Sequence, residues 1–267
     1  MSLPDPETQL THLDVGADGE SRRIAMRVLP AASDNGLPTL VWLGGYRSDM
    51  AGTKAVELER HAHATGAACI RFDYSGHGVS GGAFADGTIS RWLEESLAVI
   101  DHVAPKRMVL VGSSMGGWVA LRLIAELRAR GEGGRIAGLV LIAPAPDFTS
   151  ELIEPNLTDA ERTSLAERGY FEEPTPYGPD PNIFTARLLD DGRRNRVLDG
   201  LIETGCPVHI LQGMQDPDVP YKHSLKLMEH LPSDDVVMTL IRDGDHRLSR
   251  PEDIERILAA VTAMSGG

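Results

Sequence analysis

Met108-Val-Leu-Val-Gly112-Ser113-Ser114-Met115-Gly116-Gly117-Trp118 is the stretch that decides how the rest of the chain is read. Its four opening residues are apolar without alternation, as a strand covered on both faces must be. Behind the second glycine, Trp118, Leu121, Ile124 and Leu127 recur three or four residues apart and share one face of a helix. A strand that passes straight into a helix around a serine turns so tightly that the positions two before and two after it must lack side chains. Gly112 and Gly116 meet that demand. The serine itself is held in a strained backbone, its hydroxyl at the carboxyl edge of the sheet, beside the N–H groups of a helix start. Ser114 is therefore the candidate nucleophile. Ser113 falls one residue short and is expected to face away, with a structural role.

Working outward, aliphatic and β-branched runs at 24–29, 39–43, 68–73, 138–143, 207–212 and 236–241 join 108–112 as expected strands. Helical patterns at 49–64, 90–103, 115–130, 222–231 and 252–263 alternate with them, the last with Pro251 just inside its start. Strands alternating with helices of this length predict an α/β domain with right-handed crossovers. One connection breaks the rhythm. Residues 148–206 carry Pro155, Pro174, Pro176, Pro179 and Pro181 and far exceed an ordinary loop. They are read as an inserted helical cap, with short helices at 158–168 and 182–190, between two parts of one core, 1–147 and 207–267.

A serine nucleophile needs a base to take its proton and a carboxylate to orient that base, both on loops at the same sheet edge. The last two strands supply such loops: Met214-Gln-Asp216-Pro217-Asp218-Val-Pro220 and Asp243-Gly-Asp245-His246-Arg247. His246 is the expected base. Asp216 follows its strand directly and is the better acid, with Asp218 as the alternative. The loop after 39–43 reads Gly44-Gly45-Tyr46-Arg47, so the Tyr46 N–H can join that of Met115 in holding an oxyanion, with Gly45 against the substrate.

Composition excludes several classes of function. With 42% apolar and 24% charged residues the chain is built to fold, and its net charge of −13 repels phosphate backbones and anionic lipid. The longest stretch free of charged side chains, Met108–Leu121, is shorter than the ~20 residues of a membrane span. Residues 1–14 hold Asp5, Glu7 and Asp14 and no Lys or Arg, unlike a secretory or transit peptide, and a cytoplasmic location is expected. No metal is expected. His61 and His63, two apart on a helix, face different ways, and His12, His102, His209, His223 and His230 lack partners at ligand spacing. His77, in the Gly-rich turn Ser75-Gly-His77-Gly-Val-Ser80, is read as loop geometry, because the lysine and spacing of a phosphate loop are missing. Trp118 is expected in the core; Trp92 is open between core and surface.

Five stretches, LGGYRSDMAGTKA (43–55), CIRFDYSGHGVSGG (69–82), VGSSMGGW (111–118), QGMQDPDVP (212–220) and DGDHRLSRPEDI (243–254), together resemble the alpha/beta-hydrolase domain-containing protein ten family. The resemblance spans most of 38–260. It implies an alpha/beta-hydrolase fold: a mostly parallel eight-stranded sheet, helices on both faces, and strand order 1-2-4-3-5-6-7-8. Animal members are mitochondrial palmitoyl-protein thioesterases and acyl-glucuronide esterases, and in the family pattern Ser114, Asp216 and His246 match the nucleophile, acid and base. Gln212 stands where the family commonly has His, and Pro217 replaces a second Asp. In the implied order Cys69 and Cys206 lie four strands apart, about 19 Å at the usual spacing, too far for a disulfide. The expected activity is hydrolysis of small-molecule acyl esters or thioesters without a cofactor. Cap residues such as Leu152, Leu157, Phe171 and Phe184 would line an apolar acyl site. A lipase- or peptidase-like hydrolase on the same residues is one alternative, and a catalytically idle binding protein is another. The oligomeric state is left open.

Overall fold

A computed structural model of the chain describes residues 8–17, 19–176, 178–232 and 235–266. The acidic positions Asp5 and Glu7 lie outside the described residues. Eight strands form one sheet: β1 (Leu10–Val15), β2 (Arg22–Leu29), β3 (Thr39–Leu43), β4 (Cys69–Phe72), β5 (Met108–Ser113), β6 (Ile136–Ile142), and, beyond a long excursion carrying β7 (Tyr170–Glu173) and β8 (Asn182–Thr185), β9 (Val208–Gly213) and β10 (Val236–Ile241). Their order is β1-β2-β4-β3-β5-β6-β9-β10, and only the β1–β2 and β2–β4 pairings are antiparallel. This is the implied order, the excursion aside. β1 is the strand that apolar runs do not reveal. Its sequence LTHLDV buries only Val15 fully, because an antiparallel edge strand needs one apolar face at most.

Helices cover both faces. On one side α1 (Thr53–Thr65) and α7 (Pro251–Ser265) pack with Leu40, Trp42, Val109 and Val140; α7 starts at Pro251, as the sequence implied. On the other, α2 (Ile89–Val103), α3 (Met115–Ala129) and α6 (Tyr221–His230) pack with Val41, Leu110 and Leu139. Alternate residues of β3, β5 and β6 thus feed two separate cores, which is why these strands read as unbroken apolar runs. Trp92 resolves as core: it is fully buried, and its indole N–H donates to Ser75 O at 3.4 Å. Cys69 and Cys206 are free thiols on opposite sides of three intervening strands. Burial raises the pKa of both, that of Cys206 to about 11.

The excursion holds α4 (Asp159–Arg168) and α5 (Ala186–Arg194) as well as the β7–β8 hairpin. The helix expected at 182–190 is half strand: 182–185 pair with 170–173, and the helix begins only at Ala186, capped by the Thr185 hydroxyl. Ile183, Phe184 and Thr185 are β-formers whose preference the apolar pattern alone does not distinguish from a helix. Among the described residues no helix is long and apolar enough to cross a membrane.

Candidate active site

Ser114 sits at the β5–α3 junction with φ 53° and ψ −120°, the left-handed backbone that its surroundings enforce. A Cβ on Gly112 would stand 2.6 Å from Gly116 O, and one on Gly116 would stand 2.1 Å from Leu43 O. Neither approach tolerates a side chain. Ser113, the last residue of β5, is buried, whereas Ser114 is only half-buried. The Ser114 hydroxyl lies 3.2 Å from His246 Nε2, and His246 Nδ1 lies 2.8 Å from Asp216 Oδ2. Since the carboxylate can only accept, Nδ1 carries the proton, and Nε2 of the neutral ring faces the serine as acceptor.

Between the two acidic candidates the geometry discriminates. The Asp216 carboxylate is buried, and Oδ1 accepts from the Asp218 and Val219 N–H groups at 2.9 and 2.8 Å. Oδ2 accepts from Gln212 at 3.1 Å as well as from His246. Asp218 is exposed, and its backbone N–H donates to Asp216 Oδ1. Gln212 is a residue whose role the sequence does not disclose. It is fully buried, accepts from Ser224 Oγ at 2.7 Å, and holds the acid from below. The signal was present as an amide at a position that is commonly imidazole in the resembling family. Asp216, Asp218 and His246 also have donor atoms within 4.8 Å of one another, the one such set of three among the described residues. Four hydrogen bonds already occupy the Asp216 oxygens, so this carboxylate has little left to offer a metal ion.

On the opposite side of Ser114 lies the loop after β3. A Cβ on Gly45 would meet Ser114 Cβ at 3.3 Å. Gly45 O accepts from Ser48 N–H at 3.1 Å. In a trans peptide the C=O and the following N–H point opposite ways, so this bond turns the Tyr46 N–H away from Ser48. Among the described residues neither Tyr46 N–H nor Met115 N–H finds an acceptor. Met115 is also the first residue of α3, where backbone dipoles favour negative charge.

Two cavities flank the serine. One, of about 320 Å³, is lined by Tyr46, Met115, Phe148, Leu152, Phe171 and Phe184 among others, with Glu161, Glu173 and Asp218 also on its wall. Phe171 and Phe184 face each other across the β7–β8 hairpin, ring centroids 5.2 Å apart, and Phe184 stacks on Tyr46 at 5.3 Å. The other, of about 450 Å³, is polar and includes Arg47, Lys54 and Arg247. Burial, with Arg247 adding to it, pushes the Lys54 ammonium down to about 8.

The alpha/beta hydrolase family profile matches residues 35–257. Mouse ABHD10, named a mitochondrial palmitoyl-protein thioesterase, is 34% identical over 227 residues, covering 84% of this chain and 74% of its own length. Its solved structure superposes with a TM-score of 0.81 at 30% identity, over 96% of this chain and 98% of that one. A candidate hydrolase from Agrobacterium vitis is 63% identical with a TM-score of 0.95, over 97% of this chain and all of that one. Fold, sheet order and these similarities agree, and the chain belongs to the alpha/beta hydrolase family, alongside ABHD10.

Proposed function

We propose that the protein is a serine hydrolase that cleaves acyl esters or thioesters through an acyl-enzyme on Ser114. The observation that carries this reading is the continuous hydrogen-bonded relay from Ser114 through His246 to Asp216. The neutral His246 ring takes the serine proton as Ser114 Oγ attacks the acyl carbon, and Asp216 stabilises the imidazolium that forms. The Tyr46 and Met115 N–H groups receive the oxyanion. His246 then returns the proton to the departing alcohol or thiol. Water, deprotonated by the same imidazole, attacks the ester on Ser114, and His246 hands that proton to Ser114 Oγ as the acid leaves.

The part of the first cavity's wall formed by Phe148, Leu152, Phe171 and Phe184 gives an acyl chain apolar surface to lie on. The segment 148–206 serves in this reading as a cap over the sheet edge formed by 1–147 and 207–267. The name of the mouse relative supports thioesters among the substrates. That name also places the relative in mitochondria, so it lends no support to a cytoplasmic location. The test is turnover of p-nitrophenyl esters of rising chain length beside a palmitoyl thioester. Wild-type protein should hydrolyse them and Ser114→Ala should not, with unchanged circular dichroism. Undiminished turnover by Ser114→Ala would remove the assignment.

A further inference from the structure

His77 lies outside the relay, yet the residue is only 4% exposed and its ring packs edge-on against Phe84 and Trp92, with centroids 5.0 and 5.4 Å away. Its two nitrogens have partners of opposite kind. Nδ1 lies 3.2 Å from Ser75 O, which can only accept, and Nε2 lies 3.2 Å from the Arg47 backbone N–H, which can only donate. These partners fix one tautomer: neutral, protonated on Nδ1, with its lone pair on Nε2. Arg47 follows the oxyanion donor Tyr46 and has φ 56°, the left-handed region that a side chain disfavours. With Gly45 O accepting from Ser48 N–H, residues 45–48 form a turn whose third residue is left-handed, a position that normally calls for Gly or Asn. Arginine stands there instead, so something outside the turn must hold it.

The geometry points to His77 as a positioning residue for the oxyanion site: its Nε2 clasps the Arg47 N–H and keeps the Gly45–Ser48 turn in the form that presents the Tyr46 N–H to Ser114. This rests on the hydrolase reading above. A second tie between the same two loops supports it, since Asp73, just after β4, accepts from Met50 N–H through Oδ1 at 2.6 Å and from Val79 N–H through Oδ2 at 2.9 Å. Asp73 anchors the far end of the β3 loop, and His77 anchors the end nearest the serine. From above, Tyr46 Oη donates to Ile183 O and the Arg47 guanidinium to Pro181 O, so the turn is held between His77 and the chain entering β8. Burial also pushes the imidazole down to about 4, which keeps it an acceptor throughout the range in which esters are assayed.

The experiment compares His77→Phe, which keeps a packed ring and loses the acceptor, with His77→Gln, whose amide oxygen can accept from Arg47. Steady-state hydrolysis of p-nitrophenyl butyrate is measured beside inhibition by a trifluoromethyl ketone, which binds as an oxyanion adduct. His77→Phe should lose about tenfold or more in kcat with KM within about twofold, less than the ~10²–10³ seen when an oxyanion donor is removed outright. Affinity for the ketone should fall in parallel, and His77→Gln should recover most of both. Wild-type kcat in a folded His77→Phe overturns the proposal, as does a kcat loss that spares ketone affinity or that His77→Gln does not repair. Absence of turnover by the wild-type protein on every ester and thioester removes the hydrolase reading itself, a result distinct from any of these.

Discussion

The loops at the carboxyl edge of the sheet and the excursion that covers them meet at Ser114, but they are held there by different forces. At the edge, polar groups are fixed by directional bonds: four to Asp216, one to each nitrogen of His77, and glycine contacts at 112 and 116 that leave no alternative backbone. The excursion meets the site through the Phe184 ring on Tyr46, backed by Phe171, a dispersion contact that tolerates exchange of one apolar group for another, and through two carbonyls, Ile183 O and Pro181 O, that accept from Tyr46 Oη and Arg47. Directional bonds specify chemistry. In the proposed reaction, apolar surface sets which acyl group fits.

The largest expected effect breaks the edge and leaves the excursion untouched. Asp216→Asn should lower kcat by about 10⁴-fold by leaving His246 in the wrong tautomer, while Asp218→Asn, whose side chain is exposed, should change little. Steady-state kinetics on a short ester checks the ranking, and the reverse order would move the acid to Asp218.

The edge should also carry a pH dependence of stability. His77 titrates near 6.5 when unfolded and near 4 when folded, so between those values the unfolded chain binds the extra proton. Its stabilising share is complete above about pH 6.5, declines as pH falls, and stops declining below about 4, amounting to about 3 kcal/mol at most. Buried His223 acts in the same sense, and Asp73 and Asp147, raised by burial, in the opposite one. Urea midpoints at pH 7 and pH 5 should therefore differ more in wild type than in His77→Phe. Equal differences would contradict a buried neutral imidazole.

Sharpening the comparison from the other side, Phe184→Ala should cost about 1.5–3 kcal/mol of binding to a long acyl chain, roughly ten- to a hundredfold in kcat/KM, and much less for an acetate ester. Equal losses for both chain lengths would mean that the ring serves only folding. The smallest effect is expected at Gln212. Gln212→Leu strands the Ser224 hydroxyl and removes one donor from Asp216, and should lower stability by about 1 kcal/mol with a modest fall in kcat. Differential scanning calorimetry and kinetics on one preparation read both.

How much of this the sequence disclosed follows the same division. The elbow, the parallel strands and the loops bearing Asp216 and His246 are legible because backbone constraint leaves a residue signature: glycines at a close approach, unbroken apolar runs, an acid before proline. The β1 edge strand leaves none, since half its surface is free to be polar. In the excursion, 182–185 fit helix and strand alike until Phe184 finds Phe171 across the hairpin, a contact between residues that only the folded chain brings together. Gln212 and His77 escape for a related reason. Gln212 reaches Asp216 only because the loop folds back over the end of its strand, and His77 meets Arg47 through a backbone N–H, which leaves no residue signature.

In the proposed mechanism Ser114 supplies the attacking oxygen and His246 activates it. Incubation with a fluorophosphonate, followed by peptide mass spectrometry, tests it most directly. A single phosphonyl adduct on Ser114 is expected in the wild-type protein, with labelling slowed by orders of magnitude in His246→Ala and none in Ser114→Ala. An adduct on Ser113 or on another serine, or labelling of Ser114 at an undiminished rate without His246, would contradict it.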